Sequence, residues 1–239
     1  MKLIFATAAL TLCTTGAMAQ GFTGGSVDLS YSGFANDDDR EFDMAKFDAA
    51  GQFAITNEIS FAGNLTVRNS DALGEAITGL FVHGIYNINP DVSLGLFAGQ
   101  ETTGFYDITT YGGEVAYVSG PVEGQAFIGS SDITGDTITI FGVAGSYGFG
   151  NGFSAIGSFE RADANDTDVF ANVLEIGAEY ALENGAAFYA SVGNAQFGFM
   201  GLTEDENFFR IGATFNFGPD GGTTFDRRSF TDAYPILGL

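Results

Sequence analysis

Apolar and polar residues alternate with a period of two along most of this chain. The clearest example is the octet 210–217, Arg-Ile-Gly-Ala-Thr-Phe-Asn-Phe. Because neighbouring side chains of a strand point to opposite faces, one face of this octet is apolar and the other is polar or small. A strand that meets lipid on one side and water on the other has this pattern. For the octet alone, an edge strand of a soluble β-protein is the alternative.

The same period predicts about twelve strands (roughly 10–14), each about ten residues long. Ten residues at about 3.3 Å each, tilted by about 40°, cover the roughly 25 Å apolar band of a transmembrane barrel. No stretch after the first 19 residues has the roughly 3.6-residue period of a helix. The predicted spans are 24–33, 45–55, 58–68, 75–88, 91–100, 108–118, 121–130, 137–149, 153–162, 169–181, 185–195 and 207–218.

The connections between these spans alternate between long and short. The short ones carry the Asn, Gly and Pro residues of tight turns. Several long ones are acidic. This alternation predicts an all-β fold: a closed antiparallel transmembrane β-barrel with both termini on the side of the short turns. The short connections are 56–57, 89–90, 120–121, 150–152 and 183–184, and the long ones are 34–44, 69–74, 101–107, 131–136, 163–168 and 196–206.

One face of the predicted strands is apolar and should contact lipid. Aromatic residues at the strand ends near the short turns should form an interfacial girdle. The predicted lipid-facing residues are Phe47, Phe53, Ile55, Ile59, Phe61, Leu65, Leu80, Val82, Tyr86, Leu94, Leu96, Tyr111, Val115, Tyr117, Phe188 and Val192. The predicted girdle consists of Tyr86, Tyr117, Tyr147, Phe149, Phe153 and Tyr180.

The opposite face collects ionisable residues that a dry core would hold only in pairs, and the cations are too few to pair them all. A water-filled lumen resolves this conflict. The candidate lumen-lining residues are Asp28, Asp48, Glu58, Arg68, His83, Glu114, Glu123, Glu160, Glu175, Glu179 and Arg210. Two strands depart from the pattern, because Phe81, Ile85, Ile138 and Ile140 would point inward. Either the register shifts there or part of the lumen is constricted.

The first 19 residues have the features of a secretory signal peptide. A short apolar run precedes Ala17-Met18-Ala19, which matches an A-x-A cleavage site, and the run is too short to span a bilayer. Cys13 is the only cysteine in the sequence and lies within this segment. The mature chain should therefore lack disulfides. We expect the barrel to occupy residues 20–218.

Charge and composition narrow the classes of partner. Without the signal peptide, 7 basic and 30 acidic residues leave a net charge of −23. No basic patch is available for nucleic acid. Charged residues make up 16% of the chain, against roughly 25% in soluble domains, while Gly (35) and Phe (25) are abundant. A barrel wall with an apolar outer face and an inner face that has room only for small residues accounts for this combination.

Residues 219–239 form a C-terminal tail beyond the strand pattern. Residues 218–222, Gly-Pro-Asp-Gly-Gly, end the last strand, and Pro235 and Gly238 argue against another one. The tail could be periplasmic, fold back into the lumen as a plug, or be a disordered terminus.

Residues with catalytic or metal-binding potential are few. His83 is the only histidine, no Gly-x-Ser-x-Gly motif occurs, and we expect neither catalysis nor a cofactor. Asp37, Asp38 and Asp39, followed by Glu41, could hold a divalent cation, but they lack the spacing of a calcium motif. A solvated acidic loop is the simpler interpretation.

Residues 20–218 resemble the porin-like outer-membrane proteins of Gram-negative bacteria. The resemblance rests on alternating strands such as 92–97, on the acidic loops, and on the octet ending at Phe217, which is similar to the C-terminal assembly signal of such barrels. It implies a location in the outer membrane, with lipid and the barrel-assembly machinery as partners, and a homo-oligomer in some members. This chain departs from general porins in its shorter length, in lacking a long inward-folded loop, and in continuing past Phe217.

Four functions fit the sequence. The first is a porin-like channel that passes small hydrophilic solutes or ions passively and prefers cations, because its acidic residues should concentrate them in the channel. In porins, opposed acidic and basic side chains create a transverse field. Glu160, Glu175 and Glu179 could face Arg68 and Arg210 in this way. The alternatives are a non-conducting structural or adhesive barrel with acidic external loops, a barrel hydrolase, and a soluble periplasmic β-sandwich.

Overall fold

The structure, a computed structural model, describes residues 21–35, 43–70, 76–104, 106–133, 135–164, 169–199, 201–226 and 228. The predicted signal peptide and the acidic triplet Asp37, Asp38 and Asp39 lie outside these residues. No helix among the described residues is long and apolar enough to cross a membrane.

Twelve antiparallel strands form one closed barrel, in which each strand pairs with its neighbours in sequence and β1 pairs with β12. Ten residue pairs join β1 to β12, from Gly25 opposite Phe217 to Phe34 opposite Phe208. This confirms the predicted fold class and strand number. The strands are β1 Phe22–Phe34, β2 Met44–Ala54, β3 Ile59–Ser70, β4 Ile77–Asn89, β5 Val92–Thr102, β6 Asp107–Ser119, β7 Val122–Ile133, β8 Asp136–Gly150, β9 Phe153–Ala164, β10 Val169–Ala181, β11 Ala186–Phe199 and β12 Leu202–Phe217.

Both chain ends of the barrel, at Phe22 and Phe217, lie on the side of the short connections, which we call the turn end. The opposite side is the loop end. Because the strand number is even, the chain enters and leaves at the same side, as the sequence predicted.

The prediction of a long loop at residues 196–206 is wrong. β11 and β12 continue as a paired hairpin to Phe199 and Leu202, with Gln196 opposite Asp205. Polar side chains occupy the outer face here, and the amide of Asn194 donates a hydrogen bond of 3.2 Å to Asn207 Oδ1. The backbone ladder holds these residues in strands although the apolar alternation has ended. The same applies to residues 131–136, most of which belong to β7 and β8.

The outer face is apolar, as the alternation predicted. Of the sixteen residues expected to face lipid, all are exposed except Phe47, which is half-buried. The girdle residues are also exposed at the turn end. Neighbouring rings there contact each other, with centroids 4.6 Å apart for Phe153 and Tyr180 and 5.3 Å apart for Tyr147 and Phe149. The apolar face of the barrel is therefore its outer face, which excludes the alternative of a soluble periplasmic β-sandwich.

Candidate functional site: the barrel lumen

Large apolar side chains fill part of the lumen. Phe81 and Ile85 of β4 and Ile138 and Ile140 of β8 all point inward and are buried. Their strands keep a regular register around these residues, since Phe81 lies opposite Asn64 on one side and Gly99 on the other. Of the two explanations that the sequence left open, the structure therefore shows a constricted lumen, and the register shifts of β4 and β8 lie away from these residues, near the turn end.

Other buried apolar residues line much of the loop-end half of the barrel. Two clusters of buried residues share Phe197, which packs against both. Together they connect inward positions of β1, β6 and β8 to β12. The buried members are Phe34, Ile108, Ile138, Ile140, Ala162, Ala171, Val173, Ala195 and Phe208.

Ion pairs lie among the polar residues of the described inner wall. Arg210 Nη1 lies 2.7 Å from Glu175 Oε2, and the hydroxyl of Ser191 donates to the other oxygen of Glu175. Arg68 Nη2 lies 3.5 Å from Glu101 Oε1, with both side chains fully buried. Arg210 thus meets one of the glutamates proposed for it, whereas Arg68 meets a residue that the sequence had assigned to a loop.

The other candidate residues have separate environments. Asp28 accepts hydrogen bonds from Tyr189 (3.1 Å) and Thr214 (2.7 Å), and Asp48 pairs with Lys46 at 3.1 Å. Glu160 and Glu179 follow the inward parity of β9 and β10. Glu123 lies at the exposed turn end of β7.

Glu58 does not lie on the inner wall. It belongs to the turn before β3, is exposed, and accepts a hydrogen bond of 3.2 Å from Thr56. The alternation misplaced it because β3 begins one residue later than predicted. In the part of the chain that the structure describes, no group of three or more His, Cys, Asp or Glu could hold a metal ion.

The C-terminal segment turns back into the lumen from the turn end. Gly218 (φ 95°) and Gly221 (φ 66°) adopt backbone conformations that other residues rarely adopt, and they reverse the chain after β12. The amide of Asp220 donates to the Thr23 carbonyl at 2.7 Å, and that of Thr224 donates to Gln52 Oε1 at 2.8 Å. The described part of the tail therefore folds back into the lumen, which is one of the three arrangements that the sequence left open.

Phe225 fits into the wall at the centre of this segment. Its side chain is fully buried in a cluster with Ala62, Ile85 and Ala116. Its ring stacks on His83, with centroids 6.4 Å apart and planes inclined by 14°. The ring therefore joins the inner faces of β3, β4 and β6.

Arg228 ends the described segment in a buried charge cluster. Its Nε donates to Glu114 Oε2 at 2.8 Å, and its Nη2 donates to Gln125 Oε1 at 2.6 Å. The other oxygen of Glu114 lies 2.7 Å from His83 Nδ1. The guanidinium carbon of Arg228 also lies 4.8 Å from the centroid of Phe127, within cation–π distance. One carboxylate thus links the barrel histidine to the tail arginine.

Sequence reasoning missed four residues of this lumen: Lys46, Glu101, Phe225 and Arg228. Glu101 shares the parity of Gly95, Phe97 and Gly99, so extending the predicted strand by one residue would have placed it inside. Phe225 and Arg228 contact strands more than 100 residues earlier in the chain, and no local sequence pattern reports such a contact.

A closed barrel with an apolar outer face, an aromatic girdle and inward charges defines a transmembrane β-barrel of the bacterial outer membrane. A family model described as "Gram-negative porin" matches residues 76–225, more than half of the chain. The chain belongs to this porin family and is an outer-membrane channel for small solutes.

Solved structures support the same fold at low sequence identity. The "KdgM porin" has a TM-score of 0.55 and 11% identity, covering 80% of this chain and 99% of its own. The "COG4313 outer membrane channel from Pseudomonas putida F1" has a TM-score of 0.54 and 11% identity, covering 84% and 97%. The "NanC porin" has a TM-score of 0.54 and 9% identity, covering 80% and 98%. No curated relative matches the chain in sequence.

Proposed function

We propose that this porin passes small hydrophilic solutes or ions by passive diffusion and that it prefers cations. The observation that carries the proposal is the surplus of carboxylates over cations among the inward side chains of the described strands. The inward cations of these strands are Lys46, Arg68 and Arg210, and each lies against a carboxylate. The inward carboxylates include Asp28, Asp48, Glu101, Glu114, Glu123, Glu160, Glu175 and Glu179.

Part of this surplus lies towards the turn end. There the carboxylates of Glu123, Asp226 and Asp28 repel that of Glu179. Negative charges in a narrow passage with low-dielectric walls raise the local concentration of cations. Rings of carboxylates select for cations in channels by the same effect.

Neutralising this acidic end should reduce the preference for potassium over chloride. We expect the double variant Glu123→Gln/Glu179→Gln to show a several-fold lower permeability ratio than the wild-type protein. The ratio follows from the reversal potential of single channels in a planar bilayer under a salt gradient.

The matched control is Asp132→Asn/Asp205→Asn, which removes two carboxylates from the outer face near the loop end. This control should retain the wild-type ratio. A wild-type reversal potential of the anion-selective sign would contradict the proposed preference.

A second candidate function is a non-conducting structural or adhesive barrel. The observation that favours it is the occupied lumen, with apolar clusters at the loop end and the tail at the turn end. Absence of conductance from correctly folded protein in planar bilayers, both before and after displacement of the tail, would favour this candidate.

The proposed charge preference also bears on the class of solute. The KdgM barrel has been solved "in complex with disordered oligogalacturonate", which is a polyanion. The carboxylate surplus of the present lumen disfavours polyanions, so we propose neutral or cationic solutes here. We also propose that the octet ending at Phe217 is recognised by the barrel-assembly machinery and that the barrel can form a homo-oligomer.

A further inference from the structure

We propose that residues 219–226 and Arg228 form a plug that closes the lumen, and that the receptor of Arg228 is a binding site for a guanidinium group. The receptor consists of Glu114, Gln125 and Phe127. A solute that carries a guanidinium group would occupy the receptor when the plug is displaced. The role of the receptor in transport rests on the proposed function, whereas the position of the plug and the binding by the receptor can each be tested without conductance.

The barrel wall is shaped to accept the plug. A Cβ atom on Gly95 would lie 2.7 Å from the Phe225 ring and 2.6 Å from Glu114 Cγ, so this strand can pass behind both residues only as glycine. A Cβ atom on Gly24 would overlap the carbonyl oxygen of Gly222, where the segment crosses β1. Two glycines on different strands thus provide the space that the plug occupies.

The contacts of the plug cross the barrel from one wall to the other. It bonds to Thr23 of β1 and Gln52 of β2 at its beginning, and to Glu114 of β6 and Gln125 of β7 at its end. Because β1 and β7 lie on opposite sides of a twelve-stranded barrel, a segment that contacts both must span the lumen.

The receptor has the chemistry of a guanidinium site. Glu114 accepts one N–H of Arg228 and Gln125 accepts another, while Phe127 offers a ring face at 4.8 Å. Glu114 is buried on the inner wall, where a carboxylate is stable only when a cation or a donor faces it. His83 Nδ1 engages one oxygen of Glu114, and the other oxygen needs the guanidinium. Displacing Arg228 therefore favours a replacement of the same charge.

Cysteine cross-linking tests the position of the plug in the full chain. Gln125 and Asp226 contact each other through their side chains. The only native cysteine, Cys13, lies in the predicted signal peptide. Oxidation of folded Gln125→Cys/Asp226→Cys should give a reducible change in electrophoretic mobility. Ser131→Cys/Asp226→Cys is the control, because Ser131 lies on the same strand and face but about 20 Å towards the loop end. Failure of the first pair to cross-link, or equal cross-linking of both, would overturn the plug.

Conductance tests whether the plug closes the lumen. Phe225→Ala/Arg228→Ala should conduct several-fold more than wild type. Gly24→Ala, which displaces the segment by steric overlap and removes no charge, should raise the conductance in the same way. The controls are Asp220→Asn, an exposed residue of the plug, and Gly51→Ala, where the added Cβ meets nothing closer than 3.9 Å. Equal conductance of all five proteins would show that the plug does not close the lumen. If the Gln125→Cys/Asp226→Cys pair cross-links but none of these five proteins conducts, the plug is confirmed and the channel is refuted.

Binding of arginine methyl ester tests the receptor. Isothermal titration of Phe225→Ala/Arg228→Ala in detergent should give saturable binding, and the wild-type protein should bind more weakly because Arg228 competes. Adding Glu114→Gln should weaken binding by roughly tenfold or more, because a charge-assisted hydrogen bond is lost. Gln125→Leu provides a milder second variant. Citrulline methyl ester is the uncharged probe, and equal binding of both esters, or no saturable binding of either, would overturn the guanidinium assignment.

Discussion

Replacing Phe81 by alanine lowers the free energy of unfolding of the barrel by about 3–5 kcal/mol. The Phe81 ring is fully buried inside the lumen, opposite Asn64 and Gly99. It lies directly against β5, because a Cβ atom on Gly99 would overlap it. Because the ring points into the lumen, lipid cannot enter the space that it leaves. The loss of apolar contact therefore adds to the penalty of a cavity.

Urea-induced unfolding in lipid vesicles measures this effect. Phe81→Leu is the control, since a smaller apolar residue that retains most of the volume should cost less than about 1.5 kcal/mol. If the alanine and leucine variants were equally stable, the ring would not be enclosed, and the constricted lumen would be in error.

The apolar band of the outer face could be predicted from the sequence because one physical condition governs it. Outward residues within this band meet lipid, so their polarity alone reports their position. Leu80, Val82 and Tyr86 were placed correctly by parity. The girdle was also predictable, because aromatic residues at strand ends satisfy both the apolar and the polar side of the membrane interface.

The contents of the lumen were less predictable, because inward residues satisfy one another and do not face a uniform solvent. The alternation put Arg68 and Arg210 inside, but the register of twelve strands decides that one meets Glu101 and the other meets Glu175. That register is a property of the whole barrel. Local patterns report which face a residue occupies and leave its partner undetermined.

The sequence predicted a water-filled lumen, whereas the structure shows a constricted one. The same charged residues account for both, depending on whether they are paired. Unpaired, these charges would require water. The structure brings Arg68, Arg210 and Arg228 against carboxylates, so these charges can be buried as pairs. Arg228 comes from the tail, so the strand pattern alone could not place this cation on the inner wall.

The two ends of the lumen consequently differ in how they can open. Buried apolar residues of the barrel wall line much of the loop-end half, and displacing them means repacking β1, β6 and β8 to β12. The turn-end half is filled by a segment that joins the barrel through one connection after Phe217. Moving that segment breaks a few hydrogen bonds and ion pairs and leaves the strand ladder intact. Opening at the turn end should therefore be the easier of the two.

Replacing Leu96 by arginine should lower the free energy of unfolding in lipid vesicles by about 2–4 kcal/mol. Leu96 lies on the outer face near the middle of β5 and is 74% exposed to the surroundings of the barrel. Its neighbours in register are Gly84 and Gly113, which offer no polar side chain. A guanidinium at this depth must reach the membrane interface or draw water into the hydrocarbon, and either response opposes folding.

Ile88→Arg is the matched control, because Ile88 is also an exposed apolar residue of β4 but lies beyond Tyr86 towards the turn end. Its cost should be no more than about 1 kcal/mol, since arginine near the interface reaches the headgroups. Urea titrations of both variants in the same vesicles give the comparison. Equal costs at both positions would mean that depth in the bilayer does not govern this face, whereas the expected difference locates the centre of the membrane near Leu96.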